Sequence, residues 1–233
     1  MRVGVITFPG SNCDKDTLYA LERMPDVTAV PVWHKTKQLA ELDAVFLPGG
    51  FSYGDYLRAG TIARFSPVMQ AVQTFAEKGG KVIGICNGFQ ILTEAHLLPG
   101  VLRHNVNGRF ICRNCTVKAE DRGKIDRFKL NARAFILPIA HAEGNFFAPP
   151  DVLERLEANG QVLFRYTDNS GTLLPEANPN GSMNNIAGIC NEAGNVIGMM
   201  PHPERAADPL LGNIDGWEVL RHLLELEPIA VPA

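Results

Sequence analysis

The feature that most constrains the fold is a regular alternation of short apolar runs with segments of helical spacing in the first half of the chain. The apolar runs predict β-strands at residues 3–8, 27–33, 44–47 and 81–85, and the helical spacing predicts α-helices at 14–24, 62–78 and 89–98. Several of these segments end at Pro-Gly or Gly-Gly, which favours tight connections. Strands that alternate with helices in this way predict a parallel sheet covered by helices on both faces.

The second half of the chain has a different pattern. Strand-like runs at residues 109–117, 134–140, 161–167, 186–190 and 196–200 follow one another with few helices between them, and an amphipathic helix is predicted at 217–226. Residues 168–185 are rich in Gly, Asn, Pro and Ser and predict a surface loop. The fold class that follows is α/β, with an open, mostly parallel sheet, helices on both faces and antiparallel additions. No linker divides the chain, so we expect one domain over residues 1–233.

Composition and charge exclude several classes of protein. Hydrophobic residues make up 45% and charged residues 20% of the chain, which is typical of a globular protein. The 22 Lys and Arg against 25 Asp and Glu leave a net charge of -3, without the basic excess of a nucleic-acid-binding protein. No apolar run approaches the roughly 20 residues of a membrane-spanning helix, and the N-terminal apolar run is too short for a secretory signal. We therefore expect a cytoplasmic protein whose partners include neither nucleic acid nor membrane.

The cysteines are scattered along the chain, at Cys13, Cys86, Cys112, Cys115 and Cys190. An odd, thinly spread set of this kind favours reduced thiols over a disulfide framework. Cys112 and Cys115 form one C-x-x-C pair without a second pair of ligands, so we interpret them as structural and expect no metal site. Cys13 and Cys190 are likewise interpreted as structural.

Cys86 lies in the pentapeptide Gly-Ile-Cys-Asn-Gly at residues 84–88, between a predicted strand and a predicted helix. This is the spacing of a nucleophile elbow, with Cys where many hydrolases have Ser. The sharp turn raises the side chain above the sheet edge, and the flanking glycines permit close backbone packing. A helix N-terminus favours the thiolate, and the Asn87 N–H is available to an oxyanion. The alternative is a buried cysteine at a strand end, but the two glycines favour the nucleophile.

A thiolate nucleophile needs a base, and the base needs a residue that orients it. His202 stands out because it lies in Pro-His-Pro-Glu at residues 201–204, directly after a predicted strand. A proline favours extended backbone in the residue before it, and in an extended chain residues two apart point the same way. We therefore expect Glu204 to face the His202 imidazole. The alternative is a surface loop stiffened by prolines, but this motif and Cys86 both follow strands, at the edge where open α/β sheets bind ligands.

A third motif, Pro-Gly-Gly-Phe-Ser at residues 48–52, follows the predicted strand at 44–47. It lacks the Lys and Ser or Thr that end a phosphate-binding loop. The glycine pair is open to two interpretations, a tight turn or a source of a second backbone N–H, from Gly50, that joins Asn87 in an oxyanion hole. Removing one donor of this kind typically costs about 2.7–4 kcal/mol of transition-state stabilisation.

These motifs together resemble the class I, or triad-type, glutamine amidotransferases. The segments that carry the resemblance are 8–14 (FPGSNCD), 48–58 (PGGFSYGDYLR), 84–90 (GICNGFQ) and 138–144 (PIAHAEG). In combination they are similar to the glutaminase subunits of phosphoribosylformylglycinamidine synthase, and the similarity covers essentially the whole chain. The resemblance implies a class I amidotransferase fold and a glutaminase activity.

The resemblance also implies roles for six residues: a catalytic triad, two oxyanion donors and one substrate-binding side chain, in the order Cys86, His202, Glu204, Gly50, Asn87 and Gln90. Ammonia from glutamine would pass to a separate ATP-dependent synthetase, which amidates formylglycinamide ribonucleotide in purine biosynthesis. The chain has no ATP-binding motif, so no cofactor is expected in it. ATP and Mg²⁺ are expected in a large synthetase subunit, and a small bridging subunit is expected to complete the complex.

Two other functions stay open on the residues alone: another cysteine hydrolase with a related sheet, and a non-catalytic scaffold of the same fold. The intact set of Cys86, His202 and Glu204 argues against the scaffold. His141 and Glu143 repeat the two-residue spacing of the His-Glu motif without its prolines. We expect them to act near the mouth of the active site or at a subunit interface, with a purely structural role as the alternative.

Overall fold

The computed structural model describes residues 1–120 and 133–230. The strands are β1 (Arg2–Thr7), β2 (Thr28–Trp33), β3 (Ala44–Leu47), β4 (Lys81–Ile85), β5 (Val101–Arg103), β6 (Ile111–Ala119), β7 (Ala134–His141), β8 (Asn145–Phe147), β9 (Val162–Thr167), β10 (Ile186–Cys190) and β11 (Val196–Met199). The α-helices are α1 (Asp14–Glu22), α2 (Pro67–Glu77), α3 (Asn87–Glu94), α4 (Pro150–Ala158) and α5 (Asp215–Leu223). Short 3-10 turns connect several of these elements.

Nine of the described strands form one sheet, in the order β2-β1-β3-β4-β11-β10-β9-β6-β7. The first five strands pair in parallel, and every pairing from β11 to β7 is antiparallel. Strands β5 and β8 form a separate two-stranded sheet. The predicted fold class is confirmed, since a parallel core carries antiparallel additions supplied by the second half of the chain.

The helices cover both faces of the parallel core. Helix α1 joins β1 to β2 on one side of β1, and α2 joins β3 to β4 in the opposite direction across the sheet. Because such crossovers are right-handed, these two helices lie on opposite faces. All residues of β3 are buried, as expected of a strand covered on both faces. The C-terminal ends of β1, β3, β4 and β11 therefore meet at one edge, where the predicted site motifs begin.

Several parts of the chain differ from the sequence-based expectation. The helix predicted at 62–78 is divided, because Pro67 favours extended backbone at Ser66, which has φ -61° and ψ 142°. A short 3-10 turn precedes this point, and α2 begins at Pro67. The short strands β5 and β8 and the helix α4 were not predicted at all. Helix α4 follows Pro149 and begins at Pro150, where a proline pair resembles a loop in sequence.

The outermost antiparallel strand, β7, contacts the parallel core of the sheet. Strand β7 is the last in the order, yet the carbonyl oxygen of Ala140 in β7 lies 3.7 Å from Sγ of Cys86, which follows β4. The antiparallel half therefore curls over the edge at which the parallel strands end. The described part of the chain contains no helix with the length and apolar character needed to cross a membrane.

Candidate active site

Cys86 occupies a strained turn between β4 and α3. Its backbone has φ 50° and ψ -104°, a conformation that an L-residue adopts at a cost of about 1–3 kcal/mol. The two flanking glycines make the turn possible. A Cβ on Gly88 would lie 1.9 Å from the carbonyl oxygen of Leu47, and one on Gly84 would lie 2.6 Å from Cδ1 of Leu92. The elbow expected from sequence is therefore present.

The elbow is fixed by neighbouring strands. The Cys86 N–H donates to the carbonyl oxygen of Met199 at the end of β11, at 2.8 Å. Helix α3 starts at the next residue, so its unpaired N-terminal N–H groups lie beside the sulfur. The side chain is buried and faces the Ala140 carbonyl of β7. This arrangement holds the thiol at a helix N-terminus and beneath the curled strands.

His202 and Glu204 form a buried pair at the same edge. Nδ1 of His202 lies 2.6 Å from Oε1 of Glu204, and both residues are buried. The predicted contact is present, but the predicted reason was wrong. His202 is close to extended, with φ -102° and ψ 88°, whereas Glu204 lies in a 3-10 turn over Pro203–Ala206. The turn, not an extended chain, brings the carboxylate to the ring.

The pair is electrostatically coupled to the cysteine. Burial lowers the pKa of His202, but the negative charge of Glu204 and the nearby Cys86 sulfur outweigh this effect, so the pKa of His202 lies well above its ordinary value. Nε2 of His202 is buried and makes no hydrogen bond among the described residues. The arrangement is a protonatable imidazole whose Nδ1 is held by a carboxylate, with the sulfur of Cys86 nearby.

The two expected oxyanion donors lie where their strands end. Gly50 follows β3 with φ 135°, a conformation that favours glycine, and a Cβ there would lie 2.7 Å from the Asn12 nitrogen. Residues 10–13 and 49–51 are joined by hydrogen bonds from the Phe51 N–H to the Gly10 carbonyl oxygen and from the Cys13 N–H to the Gly49 carbonyl oxygen. Neither bond uses the Gly50 N–H. Asn87 is the first residue of α3, where main-chain N–H groups lack partners within the helix.

The side chain of Asn87 ties the nucleophile helix to the loop after Gly50. Its Oδ1 accepts from the Ser52 N–H at 3.1 Å, and its Nδ2 donates to Oε1 of Gln90 at 2.9 Å and to Oδ1 of Asp55 at 3.1 Å. Nε2 of Gln90 donates to the carbonyl oxygen of Glu143 at 2.6 Å. The Gln90 amide is thus oriented by protein groups at both of its ends.

Asp55 has an unusual environment for a carboxyl group. Burial and the negative charge of Glu143 raise the pKa of Asp55 to about 6, against the lowering effect of its hydrogen bond from Asn87. Its backbone is left-handed at φ 52°, as is that of Leu57 two residues on, at φ 71°. The loop after Gly50 therefore combines a perturbed carboxyl with several strained residues.

His141 is the last residue of β7, and Glu143 lies on the segment that follows. Nδ1 of His141 donates to Oδ1 of Asn105 at 3.0 Å, and the Gly144 N–H donates to the same oxygen at 3.1 Å. Burial lowers the pKa of His141 to about 4, so the ring is neutral at pH 7. Through its carbonyl oxygen, Glu143 contacts Gln90, so this segment does border the site. That fits the expected location near the mouth, and a chemical role for either side chain stays a prediction.

Sequence reasoning missed one residue at the site, Cys13. The structure brings potential metal-ligand atoms of Cys13, His202 and Glu204 to within 4.8 Å of one another, the one such group in the described ranges. Two features do not fit a cation there. The 2.6 Å contact within the His-Glu pair is a hydrogen-bond distance, and Nη2 of Arg205 lies 3.1 Å from the Cys13 sulfur. The available signal was position, because Cys13 follows β1 at the same sheet edge.

The pair Cys112 and Cys115 does not form a ligand set. Both lie in β6, and residues three apart on a strand point to opposite faces. Cys112 is exposed, whereas Cys115 is buried and its Sγ lies 3.3 Å from the carbonyl oxygen of Leu137. Burial raises the pKa of Cys115 to about 12, so this thiol is inert at neutral pH.

A doubly wound sheet that carries a strained cysteine elbow and a buried imidazole–carboxylate pair at one edge has the arrangement of a class I glutamine amidotransferase. The chain belongs to the family of CobB/CobQ-like glutamine amidotransferase domains, whose model matches residues 1–219. It is 54% identical over 225 residues to phosphoribosylformylglycinamidine synthase subunit PurQ of Chlorobaculum tepidum, covering 96% of each chain. Identity to the subunit of the same name from Nostoc sp. is 53% over 226 residues, covering 97% of each chain.

Solved structures give the same relationship. A chain from the structure of PurLQS from Thermotoga maritima superposes with a TM-score of 0.82 at 38% identity, covering 96% of this chain and 97% of that one. A glutamine amidotransferase from the same organism superposes with a TM-score of 0.61 at 19% identity, which shows a shared fold. The antiparallel additions and the parallel core therefore belong to one known architecture.

Proposed function

We propose that this chain is the glutaminase subunit of a phosphoribosylformylglycinamidine synthase. It hydrolyses glutamine to glutamate and ammonia, and the ammonia is used by a synthetase subunit to convert formylglycinamide ribonucleotide to formylglycinamidine ribonucleotide. The observation that carries the proposal is the buried 2.6 Å hydrogen bond between His202 and Glu204, at the sheet edge that also carries Cys86. The similarity to PurQ subunits over 96% of the chain supports the acceptor.

The reaction proceeds through a thioester on Cys86. The thiolate attacks the side-chain amide carbon of glutamine, a C–S bond forms, and the C–N bond breaks. His202, protonated and paired with Glu204, gives its proton to the departing nitrogen, so that ammonia leaves. The neutral imidazole then takes a proton from water, which attacks the thioester. The C–S bond breaks, the product carboxylic acid loses its proton to solvent and leaves as glutamate, and the thiolate beside a protonated imidazole is restored.

Three further residues serve this chemistry. The N–H groups of Gly50 and Asn87 receive the oxyanion of the tetrahedral intermediates, each contributing about 2.7–4 kcal/mol of transition-state stabilisation. Gln90 contacts the bound glutamine through the lone pair of Oε1 that its hydrogen bond from Asn87 leaves free. The fixed orientation of that amide supports this role, because it presents an acceptor without further ordering.

The rest of the assembly follows from the same proposal. Residues 1–233 act as one glutaminase domain in the cytoplasm, without a cofactor or metal of their own. ATP and Mg²⁺ bind to the large synthetase subunit, and a small bridging subunit completes the complex. The similarity to a chain of the PurLQS structure supports these partners.

The test replaces the nucleophile in the assembled complex. For Cys86→Ala we expect loss of glutamine-dependent synthesis and of glutamate release, while synthesis from added ammonium salt continues at the wild-type rate. Cys112→Ala, which removes an exposed cysteine from β6, is the matched control and retains both activities. Glutamine-supported turnover by the Cys86→Ala complex would reject the nucleophile. Loss of both nitrogen sources in a correctly assembled complex would reject the division of labour between subunits.

A further inference from the structure

Cys13 is a second cysteine at the site, and the proposed triad gives it no role. It lies between β1 and α1 and is 2% exposed. Its thiol donates to Oδ1 of Asn12 at 3.3 Å, and its sulfur accepts from Nη2 of Arg205 at 3.1 Å. Arg205 is held in turn by Asp16, with Nε 3.0 Å from Oδ2. These hydrogen bonds fix the position of a buried sulfur.

The fixed sulfur packs against the His-Glu pair. The Cys13 sulfur lies within 4.8 Å of ligand atoms of both His202 and Glu204. A Cβ built on Gly49 would lie 3.1 Å from that sulfur and 2.6 Å from Cε1 of His202, so the Gly49 backbone is in contact with both. Oε2 of Glu204 is buried and makes no hydrogen bond among residues 1–120 and 133–230. The carboxylate is therefore held by one hydrogen bond and by packing, to which Cys13 contributes.

Cys13 also reaches the segment that carries the expected oxyanion donor. Its main-chain N–H donates to the carbonyl oxygen of Gly49 at 3.4 Å. The residue before it, Asn12, lies against Gly50, whose added Cβ would be 2.7 Å from the Asn12 nitrogen. One residue thus contacts both the turn after β3 and the turn that follows β11.

We propose that Cys13 is a positioning residue of the glutaminase reaction, whose thiol fixes the His202–Glu204 pair relative to the turn at Gly49. The inference rests on the proposed function and adds a residue to it. Loss of the sulfur leaves a void beside the imidazole and removes one contact of Arg205. The side chains of His202 and Glu204 are then held less firmly in their present positions. A displacement of about 1 Å at a reacting group can cost about 100-fold in rate, and partial loosening here is expected to cost about ten-fold.

The protonation of His202 gives a readout that a purely structural role would not move. The charged and titratable groups around the ring are Glu204 and Arg205 on its own turn, Asp16 behind Arg205, Cys86, Cys13, His141 on β7 and Cys115 on β6. Glu204 favours the protonated ring, so a looser contact between the two lowers the pKa of His202. The alkaline limb of kcat, which reports loss of that proton, then moves to lower pH.

The experiment measures glutamate release against pH with the full chain assembled with its synthetase subunit. For Cys13→Ala we expect kcat to fall about ten-fold, with the KM for glutamine within about two-fold of wild type and the alkaline limb at lower pH. Cys13→Ser keeps a donor and an acceptor at the same place and restores most of kcat. Cys190→Ala removes a buried thiol from β10 and leaves the pH profile unchanged.

A wild-type kcat and pH profile for Cys13→Ala would overturn the proposal, as would an equal effect of Cys190→Ala or a loss that Cys13→Ser does not rescue. If Cys13→Ala fails to fold, Arg205→Lys decides, because it removes the guanidinium contact with the sulfur and keeps the charge. The same shift of the alkaline limb is expected, and an unchanged limb contradicts the proposal. Absence of glutamate release by the wild-type complex would reject the proposed function instead.

Discussion

Gly49 and His202 are in direct contact, because a Cβ built on Gly49 would lie 2.6 Å from Cε1 of the imidazole. Packed atoms in protein interiors do not approach this closely, so an added methyl group would displace the ring. The backbone of Gly49 is not left-handed, so alanine is not excluded there by its own conformation. The residue matters for the space that it leaves beside the proposed acid–base pair.

We expect Gly49→Ala to reduce glutaminase kcat by at least about 100-fold in the assembled complex, because the ring is moved from Cys86. Gly4→Ala is the matched control. Gly4 lies in β1, and a Cβ added there would lie 2.7 Å from the flexible end of the Leu42 side chain. The variant therefore adds a methyl group to the core away from the site. We expect that control to retain kcat whatever its thermal stability. Near-wild-type kcat for Gly49→Ala would show that the ring does not need its present position.

The carboxyl group of Asp55 makes stability depend on pH. Its pKa is raised to about 6 in the folded protein, so the folded state holds this proton more tightly than the unfolded state does. The associated stability is fully present below an ordinary aspartate pKa of about 3.8 and is lost as the pH rises through 6. We therefore expect Asp55→Asn to raise the free energy of unfolding at pH 7.5 by about 1 kcal/mol, allowing for solvent screening of a half-buried group.

The measurement is urea denaturation of Asp55→Asn and wild type at pH 7.5 and pH 4. The gain should shrink at pH 4, because the wild-type carboxyl is then protonated in the folded state. This pH dependence separates electrostatics from backbone effects, since Asn suits the left-handed conformation at any pH. Glu143→Gln, which removes the facing charge, should give a smaller gain in the same direction. An equal gain at both pH values would contradict the electrostatic explanation.

Leu57 carries backbone strain that packing does not offset. It is 89% exposed and has φ 71°, a left-handed conformation that costs most L-residues about 1–2 kcal/mol. We expect Leu57→Asn to stabilise the isolated chain by about 1 kcal/mol, because Asn tolerates this conformation. Leu210→Asn is the matched control, since Leu210 is 91% exposed without a positive φ. Urea midpoints that shift equally for the two variants would mean that strain is not the cause.

The sequence predicted best those strands that are buried apolar runs with clear ends. The bounds of β3, β4 and β10 agree with the predicted strands, because each is a short, mostly apolar run beside a residue that favours a turn: Pro48 after β3, Gly80 before β4 and Asn191 after β10. The motif residues Cys86 and His202 were found for a related reason: each follows such a strand. What the sequence did not predict were β5, β8 and α4, which are short or begin at a proline pair.

Details of the site that depend on packing between distant segments were beyond sequence reasoning. The contact between His202 and Glu204 was expected from an extended chain, but a 3-10 turn makes it. Cys13 was interpreted as structural; its position after β1 was the one available signal, since its local pattern does not show that residues 10–13 lie against residues 49–51. That contact is set by the order of β1 and β3 in the sheet, which becomes known only when the chain has folded.

Because the last strand of the sheet, β7, comes back to face Cys86, the outer antiparallel strands and the parallel core depend on each other. A segment more than fifty positions downstream shields the sulfur, so fraying of that last strand would open the thiol to reagents while the parallel core stays intact. The rate at which Cys86 is alkylated is consequently a measure of whether β7 is docked, and slow alkylation indicates that the strand covers the sulfur.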